Sequence, residues 1–312
     1  LAFVGLLTFA YYGLSLLRTV LDTTIRSGIS LNKFGAKRGA WAVVTGCTDG
    51  IGKAFAQQLA KAGFNIVLVS RTQSKLDALS EEIAAKYNVE TKVVAIDFTR
   101  AQPADYERLR EVVDSVQVGA LINNVGTNHE FPIRFQDEED SVLENIVEVN
   151  VLAQVRITKM VVSQMASRKN GLIINLGSMA GVSPTPLLSI YSGTKAFVRS
   201  WSQALGAELA GQGIVVECLD AYFIVSNMSK VRRASYMIPT ADTYVKQVLK
   251  RIGLLGGAGV PYASSPYLPH AIISWAVERL LPRKLVLDYN HSMQVNIRKR
   301  ALAKQARAAK SQ

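Results

Sequence analysis

Along most of the chain, unbroken apolar runs of about five residues alternate with longer segments whose apolar positions recur every three or four. The runs at Trp41–Thr45, Asn65–Ser70, 92–96, 120–124, 171–177 and Ile214–Leu219 predict six strands. They are apolar throughout, as strands covered on both faces are. Behind the first run, Ile51, Phe55, Leu59 and Ala62 share one helical face and Gly63 stops the helix. Further helices are predicted at 73–86, 138–168 and 190–209. Parallel neighbours need crossover connections, so this alternation predicts an α/β fold, a doubly wound parallel sheet of Rossmann type. Past Leu219 the pattern weakens. It predicts a helix at 240–253, a flexible turn at 256–259 and an apolar helix at 266–282 carrying Trp275, with no discernible seventh strand.

The N-terminal stretch departs from both periods. Residues 1–17 carry no charge and Arg18 is the first, a run slightly short of the ~20 residues that span a bilayer. Basic residues follow it at Arg18, Arg26, Lys33, Lys37 and Arg38, and no small-residue cleavage site is evident. This order favours a membrane anchor over a cleaved signal peptide, and it predicts that the body stays on the cytosolic side.

Charge sharpens that division. The net charge of +12 is carried as +4 by residues 1–38 and +8 by residues 279–312, leaving 39–278 neutral. A nucleic-acid binder concentrates charge on a folded face, so that class is excluded. Basic ends suit anionic headgroups, although for 298–310 a solubilising tail is an equal alternative. With 49% hydrophobic residues in 312, the core needs no disulfide or metal. Cys47 and Cys218 stand far apart beside apolar runs, outside metal-ligand spacing, and are expected as buried thiols of a reducing compartment.

The first strand leads into Thr45-Gly46-Cys47-Thr48-Asp49-Gly50-Ile51-Gly52 and then a helix. Glycines there let backbone approach a pyrophosphate at the helix N-terminus. Where the second strand ends, an acid would read a free ribose 2′-hydroxyl; this chain has Arg71, with Lys75 nearby, which matches a 2′-phosphate and predicts NADPH. Asp97, the Asn123-Asn124-Val125-Gly126 segment and Ser178 end the third, fourth and fifth strands, in the layer where such sheets gather ligands, though each alone could cap a loop. Tyr191 and Lys195 lie four apart on one helix face. A free tyrosine titrates near ~10, too high for easy proton exchange, and a neighbouring ammonium lowers that value.

Together the T-G-x-x-x-G-I-G turn, the N-N-x-G motif, the strand-end serine and Y-x-x-x-K resemble the short-chain dehydrogenase/reductase family over residues 39–230. The resemblance implies that Tyr191 is the proton donor, that Lys195 tunes it and binds the nicotinamide ribose, that Ser178 orients a carbonyl and that Asn150 completes a proton relay. It assigns cofactor contacts to Gly46, Gly50, Ile51, Gly52, Arg71, Asp97, Asn124, Ile224 and Ser226. The family's P-G-x-V-x-T segment reads Ala221-Tyr222-Phe223-Ile224-Val225-Ser226 here, so Pro-Gly is missing while Ser226 keeps a hydroxyl.

The apolar N-terminus, Ser226-Asn227-Met228-Ser229-Lys230 and Ser265-Pro266-Tyr267 are similar to a membrane-bound branch of the family. That branch reduces very-long-chain 3-oxoacyl-CoA in fatty-acid elongation at the endoplasmic reticulum, and includes 17β-hydroxysteroid dehydrogenase relatives. The expectations that follow are a long-chain 3-oxoacyl-CoA substrate, the membrane and other elongation enzymes as partners, with a homo-oligomer left open. The expected division is an anchor at 1–21, a basic linker at 22–39, a catalytic domain at 40–285 and a basic tail at 286–312. A steroid or retinoid oxidoreductase is the enzymatic alternative. A non-catalytic nucleotide-binding scaffold is the other, and the presence of both Tyr191 and Lys195 argues against it. The Asn227 and Asn290 sequons are expected to be unmodified in a cytosolic body.

Overall fold

The computed structural model describes residues 2–310; Leu1 of the expected anchor and residues 311–312 of the expected tail lie outside the described residues. The chain begins with α1 (Ala2–Thr24), followed by β1 (Trp41–Thr45), α2 (Gly50–Lys61), β2 (Asn65–Ser70), α3 (Gln73–Tyr87) and β3 (Thr91–Ala95). Next come α4 (Pro103–Asp114), β4 (Val118–Asn123), α5 (Asp140–Val147), α6 (Ala153–Ser167), β5 (Gly171–Asn175) and α7 (Met179–Val182). The C-terminal third holds α8 (Ser189–Ala210), β6 (Ile214–Leu219), α9 (Ala241–Lys250), β7 (Ala263–Ser264), α10 (Leu268–Arg279) and α11 (Arg283–Lys310).

All seven strands are parallel, in the order β3-β2-β1-β4-β5-β6-β7. This is the expected doubly wound sheet. Alternate strand residues serve its two faces. Ala42, Val44, Ile66 and Leu68 pack beneath α2, α3 and α9, while Val43, Val67, Leu121 and Ile173 pack beneath α4, α6 and α8. Strand order reverses between β1 and β4, so a crevice opens at their carboxyl ends.

The six expected strands are present within two residues at each end. The seventh consists of Ala263 and Ser264 paired with Cys218 and Leu219, too short to leave a periodic trace. Helix α4, in a stretch left unassigned by the apolar pattern, starts with Pro103 and a capping box between Gln102 and Asp105. The helix expected at 138–168 is interrupted by a π-helical turn at Glu148–Leu152.

Three expectations need correction. The stretch 22–39 does not behave as a basic linker throughout: α1 runs through residue 21 to Thr24 with Asp22 and Thr23 buried, and Phe34 and Ala36 join the core under the sheet. Residues 256–259 are not a loose turn either, since Gly256, Gly257 and Ala258 are buried and Gly257 lies against Ala271 of α10. A boundary at 285 falls inside α11, which is helical to Lys310 and buries Val286 and Gln294.

Helix α1 is long and apolar enough to cross a membrane. Its first turns stand clear of the protein, and from Tyr12 onward one face packs on the body. Thr19 donates to the Gly256 carbonyl at 3.2 Å, and Trp275 of α10 donates to Ser15 at 3.0 Å. Buried Asp22 is paired with Arg26 at 2.9 Å and Arg18 at 3.7 Å. Both thiols are buried, and burial pushes Cys47 up to about 12.

Candidate active site

The turn after β1 is built for close approach. Gly46 has φ +63°, a left-handed conformation that side chains resist. A Cβ on Gly52 would stand 2.2 Å from the Gly46 carbonyl, so the first turn of α2 packs directly on the loop. Thr45 fastens the turn to the end of β4: its hydroxyl accepts the N–H groups of Asn124 and Val125, each at 3.0 Å. The Asn124 amide donates back to the carbonyls of Thr45 at 2.9 Å and Gly46 at 3.0 Å. Both of its hydrogens are thereby spent on the loop, which makes Asn124 a positioning residue.

A cavity of about 940 Å³ opens along the strand ends. Gly46, Gly50, Ile51, Arg71, Asp97 and Asn124 line one end of it. Ser178, Tyr191 and Lys195 line its middle, together with Ile224 and Ser226. Gly52 and Asn150 stand behind the wall, not in it. Arg71 is exposed at the end of β2 with no hydrogen bond among the described residues. Asp97 is partly engaged, accepting from the Thr99 N–H at 3.1 Å and hydroxyl at 2.8 Å. Without Pro-Gly, the segment from Ala221 is held by other means. Tyr222 N–H lies 3.4 Å from His270 Nδ1, Val225 N–H donates to the Pro239 carbonyl at 3.0 Å, and Ser226 shares a hydrogen bond of 3.2 Å with Ser229.

Tyr191 and Lys195 sit in the first turns of α8, and Ser178 caps α7, accepting the Ala180 N–H at 3.1 Å. Burial raises the Tyr191 phenol, and a hydrogen bond with the Ser178 side chain pulls it back down. Lys195 donates to the Leu176 carbonyl at 2.6 Å, and its Nζ lies 5.7 Å from the Tyr191 ring centre. Burial lowers that lysine to about 8.

Asn150 is fully buried in the π-helical turn. It accepts the Thr127 N–H at 2.8 Å and donates to the Thr127 carbonyl at 2.9 Å and the Thr194 hydroxyl at 3.1 Å. Its amide thus ties the β4 loop to the residue preceding Lys195.

The remaining part of the cavity was not foreseen. Leu285, Tyr289, Met293, Ile297 and Ala301 of α11 line it, facing Ile273 and Val277 of α10. Their spacing of four along the C-terminal helix is the signal that could have revealed them. Helix α11 is fastened across the opening. Asn290 donates to the Ser183 hydroxyl and Pro184 carbonyl, each at 3.1 Å, and Arg298 donates to the Pro132 carbonyl at 3.1 Å and to Asp137 at 3.4 Å. Near the same loop, His129 and Glu138 form a largely buried pair at 2.5 Å. Arg199 of α8 connects the sheet to α10, bonding Asp220 at 3.0 Å through Nε and Glu278 through Nη2. Burial raises Asp220 to about 7, against the pull of Arg199. Among the described residues no cluster could hold a metal ion.

The sheet, the glycine turn and the Ser-Tyr-Lys grouping define a class, and the family model for short chain dehydrogenase matches residues 40–236. The chain belongs to the short-chain dehydrogenase family. It is 47% identical to a very-long-chain 3-oxoacyl-CoA reductase of Mycosarcoma maydis, covering 100% of this chain and 91% of that protein. It is 50% identical to one of Aspergillus terreus, covering 93% and 83%. Among solved structures, a short-chain dehydrogenase from Sphingobium yanoikuyae in complex with NADPH superposes with a TM-score of 0.61 at 28% identity, covering 67% of this chain and 82% of the other. A 7β-hydroxysteroid dehydrogenase superposes with a TM-score of 0.72 at 25% identity, covering 84% and 99%.

Proposed function

We propose that this chain is a membrane-held, NADPH-dependent reductase that converts long-chain 3-oxoacyl-CoA to the 3-hydroxyacyl-CoA. The observation that carries the reading is the continuity of one cavity. It runs from the glycine turn, past Ser178, Tyr191 and Lys195, to an apolar section between α10 and α11. The curated relatives at 47–50% identity bear the same substrate in their names.

The cofactor fits the residues present. Gly46 and Gly50, both at positive φ, line the cavity at the start of α2 and bring bare backbone to where a pyrophosphate would lie. Arg71, unpaired among the described residues, can take a 2′-phosphate bidentately. Lys195 spends one hydrogen on Leu176 and can offer the others to ribose hydroxyls. Asp97, Ile224 and Ser226 would complete the walls around the base and the nicotinamide. When bound, the cofactor supplies the hydride to C3 of the acyl chain.

The protein's part is proton transfer and position. Ser178 donates to the 3-oxo group and holds it beside the Tyr191 phenol. Tyr191 gives its proton to that oxygen as the alkoxide develops. Lys195 favours the phenolate left behind. Asn150 acts through Thr127 and Thr194, keeping the loop and the lysine turn in register. The apolar section rewards acyl length, since each buried CH₂ is worth about 0.8 kcal/mol.

NADPH oxidation by purified protein in detergent, with 3-oxoacyl-CoAs of rising length and a ketosteroid, tests the reading. Efficiency should rise with length. A flat response with faster ketosteroid turnover overturns it. The proposal extends to the endoplasmic reticulum as the membrane, to a cytosolic body, because basic residues follow α1, and to other elongation enzymes as neighbours. In intact microsomes, added protease should digest the body; protection, or glycan on Asn227 or Asn290, would reverse the topology.

A further inference from the structure

The way α1 joins the body fixes how the body meets the bilayer. Tyr12, Ser15 and Leu16 are already half-buried against the protein, although the uncharged stretch continues to Leu17. Ser15, bonded to Trp275, lies about 4.5 Å along the helix axis from Arg18, the first charge. If the apolar stretch of α1 lies in lipid, Trp275 and the end of α10 stand at the depth of the membrane interface.

The surface beside that contact is apolar. Leu280, Leu281, Leu285 and Tyr289 are 51%, 41%, 56% and 64% exposed at the junction of α10 and α11. Of these, Leu281, Leu285 and Tyr289 also line the cavity, so the exposed patch is one of its mouths. Arg283 and Lys284 are exposed within that stretch of chain, with Asp288 paired to Lys284 at 2.9 Å, and Arg18 is exposed three residues past Ser15 on α1.

We propose that the α10–α11 corner is a second membrane contact, seated in the interface of an anionic bilayer, and that the cavity opens there to lipid. The apolar rim enters the headgroup boundary and the basic fringe meets anionic lipid. An acyl chain then passes between bilayer and cavity without crossing water. The inference rests on the membrane-held reading above, and only its entry route depends on the substrate.

The test uses the full chain in nanodiscs of phosphatidylcholine and phosphatidylserine. Cys47 and Cys218 are buried, so single cysteines introduced at the surface can be labelled with an environment-sensitive fluorophore. The positions are Leu6→Cys on α1, Leu280→Cys at the corner and Glu107→Cys on α4, and doxyl lipids serve as quenchers. The expected result is quenching at Leu6 by deep probes, quenching at Leu280 by shallow probes and none at Glu107. Quenching at Leu6 with none at Leu280 overturns the second contact alone. Loss of quenching at both positions overturns the membrane-held reading itself. In a second measurement, Leu280→Glu should raise KM for a long-chain substrate in vesicles about tenfold and leave short-chain turnover in detergent unchanged. An unchanged long-chain KM would overturn the entry route.

Discussion

At its nucleotide end the cavity is walled by strand termini and by loops tied to one another through Thr45, Asn124, Asn150 and Thr127. At its far end it is walled by two helices that contribute aliphatic and aromatic side chains and reach neighbouring loops through Asn290 and Arg298. The first end fixes the positions of hydrogen-bonding groups to fractions of an ångström, as transfer of a proton requires. The second only excludes water, a demand many side chains satisfy, so it can vary with substrate while the first stays constant. One scaffold thereby carries one chemistry to many carbonyl compounds.

The largest test of this contrast is Tyr191→Phe. It should cut turnover by about 10²–10⁴-fold while NADPH binding, followed by fluorescence, stays within a few-fold. Substantial residual activity would assign the proton to another group. Next is Arg199→Ala, which breaks the tie between the two ends and strands Asp220, fully buried, without its partner. Denaturation in detergent should show a loss of about 3–5 kcal/mol, and a loss under ~1 kcal/mol would mean that the ends are independently stable.

Arg71→Glu should follow, moving the NADPH-to-NADH preference by about 10- to 100-fold, the value of one or two charge-assisted bonds. Equal efficiency with both cofactors in the unaltered protein would refute the basis of this change. Acidity offers a subtler probe. Burial lowers Lys195, so it is charged below about 8 and neutral above it. The reductive kcat/KM should therefore fall as pH rises through about 8. The limb should be absent in Lys195→Arg, whose guanidinium does not titrate there. The smallest effect belongs to the far end: Arg298→Ala should loosen α11 and raise KM several-fold for long acyl chains only.

The nucleotide end was legible because its groups sit at fixed offsets from apolar strands, and a run such as Trp41–Thr45 followed by spaced glycines has few other foldings. Tyr191, Lys195 and Ser178 could be placed on elements and then met across the cavity. Asn124 could be placed at the end of β4 and Asn150 in the helix before β5, but their amides are spent on loops, and spacing carries no information on hydrogen-bond partners. The far end was obscure for a different reason. Basic residues cluster at both ends of α11, at 283–284 and from Arg298 onward, and draw attention from the Leu285-Tyr289-Met293-Ile297 stripe. The two-residue β7 is held by its neighbours and lacks a pattern of its own. The wide glycine-containing segment at 256–259 reads as mobile until α10 is known to cover it.

The π-helical turn at Glu148–Leu152 has a consequence for how this helix can change. Such a turn accommodates one more residue than an α-helical turn, so it amounts to a single-residue insertion absorbed in place. Were the same residues from Asp140 to Ser167 to follow a regular α-helical path, one half would turn against the other by about 100°. Ile146 and Val149 on one side, and Ile157 and Val161 on the other, are buried and oppose that rotation. Length at this point is therefore tolerant in one direction only: deleting one residue can return the helix to a regular α-helical path with both buried faces kept, whereas a further insertion must re-register one of them.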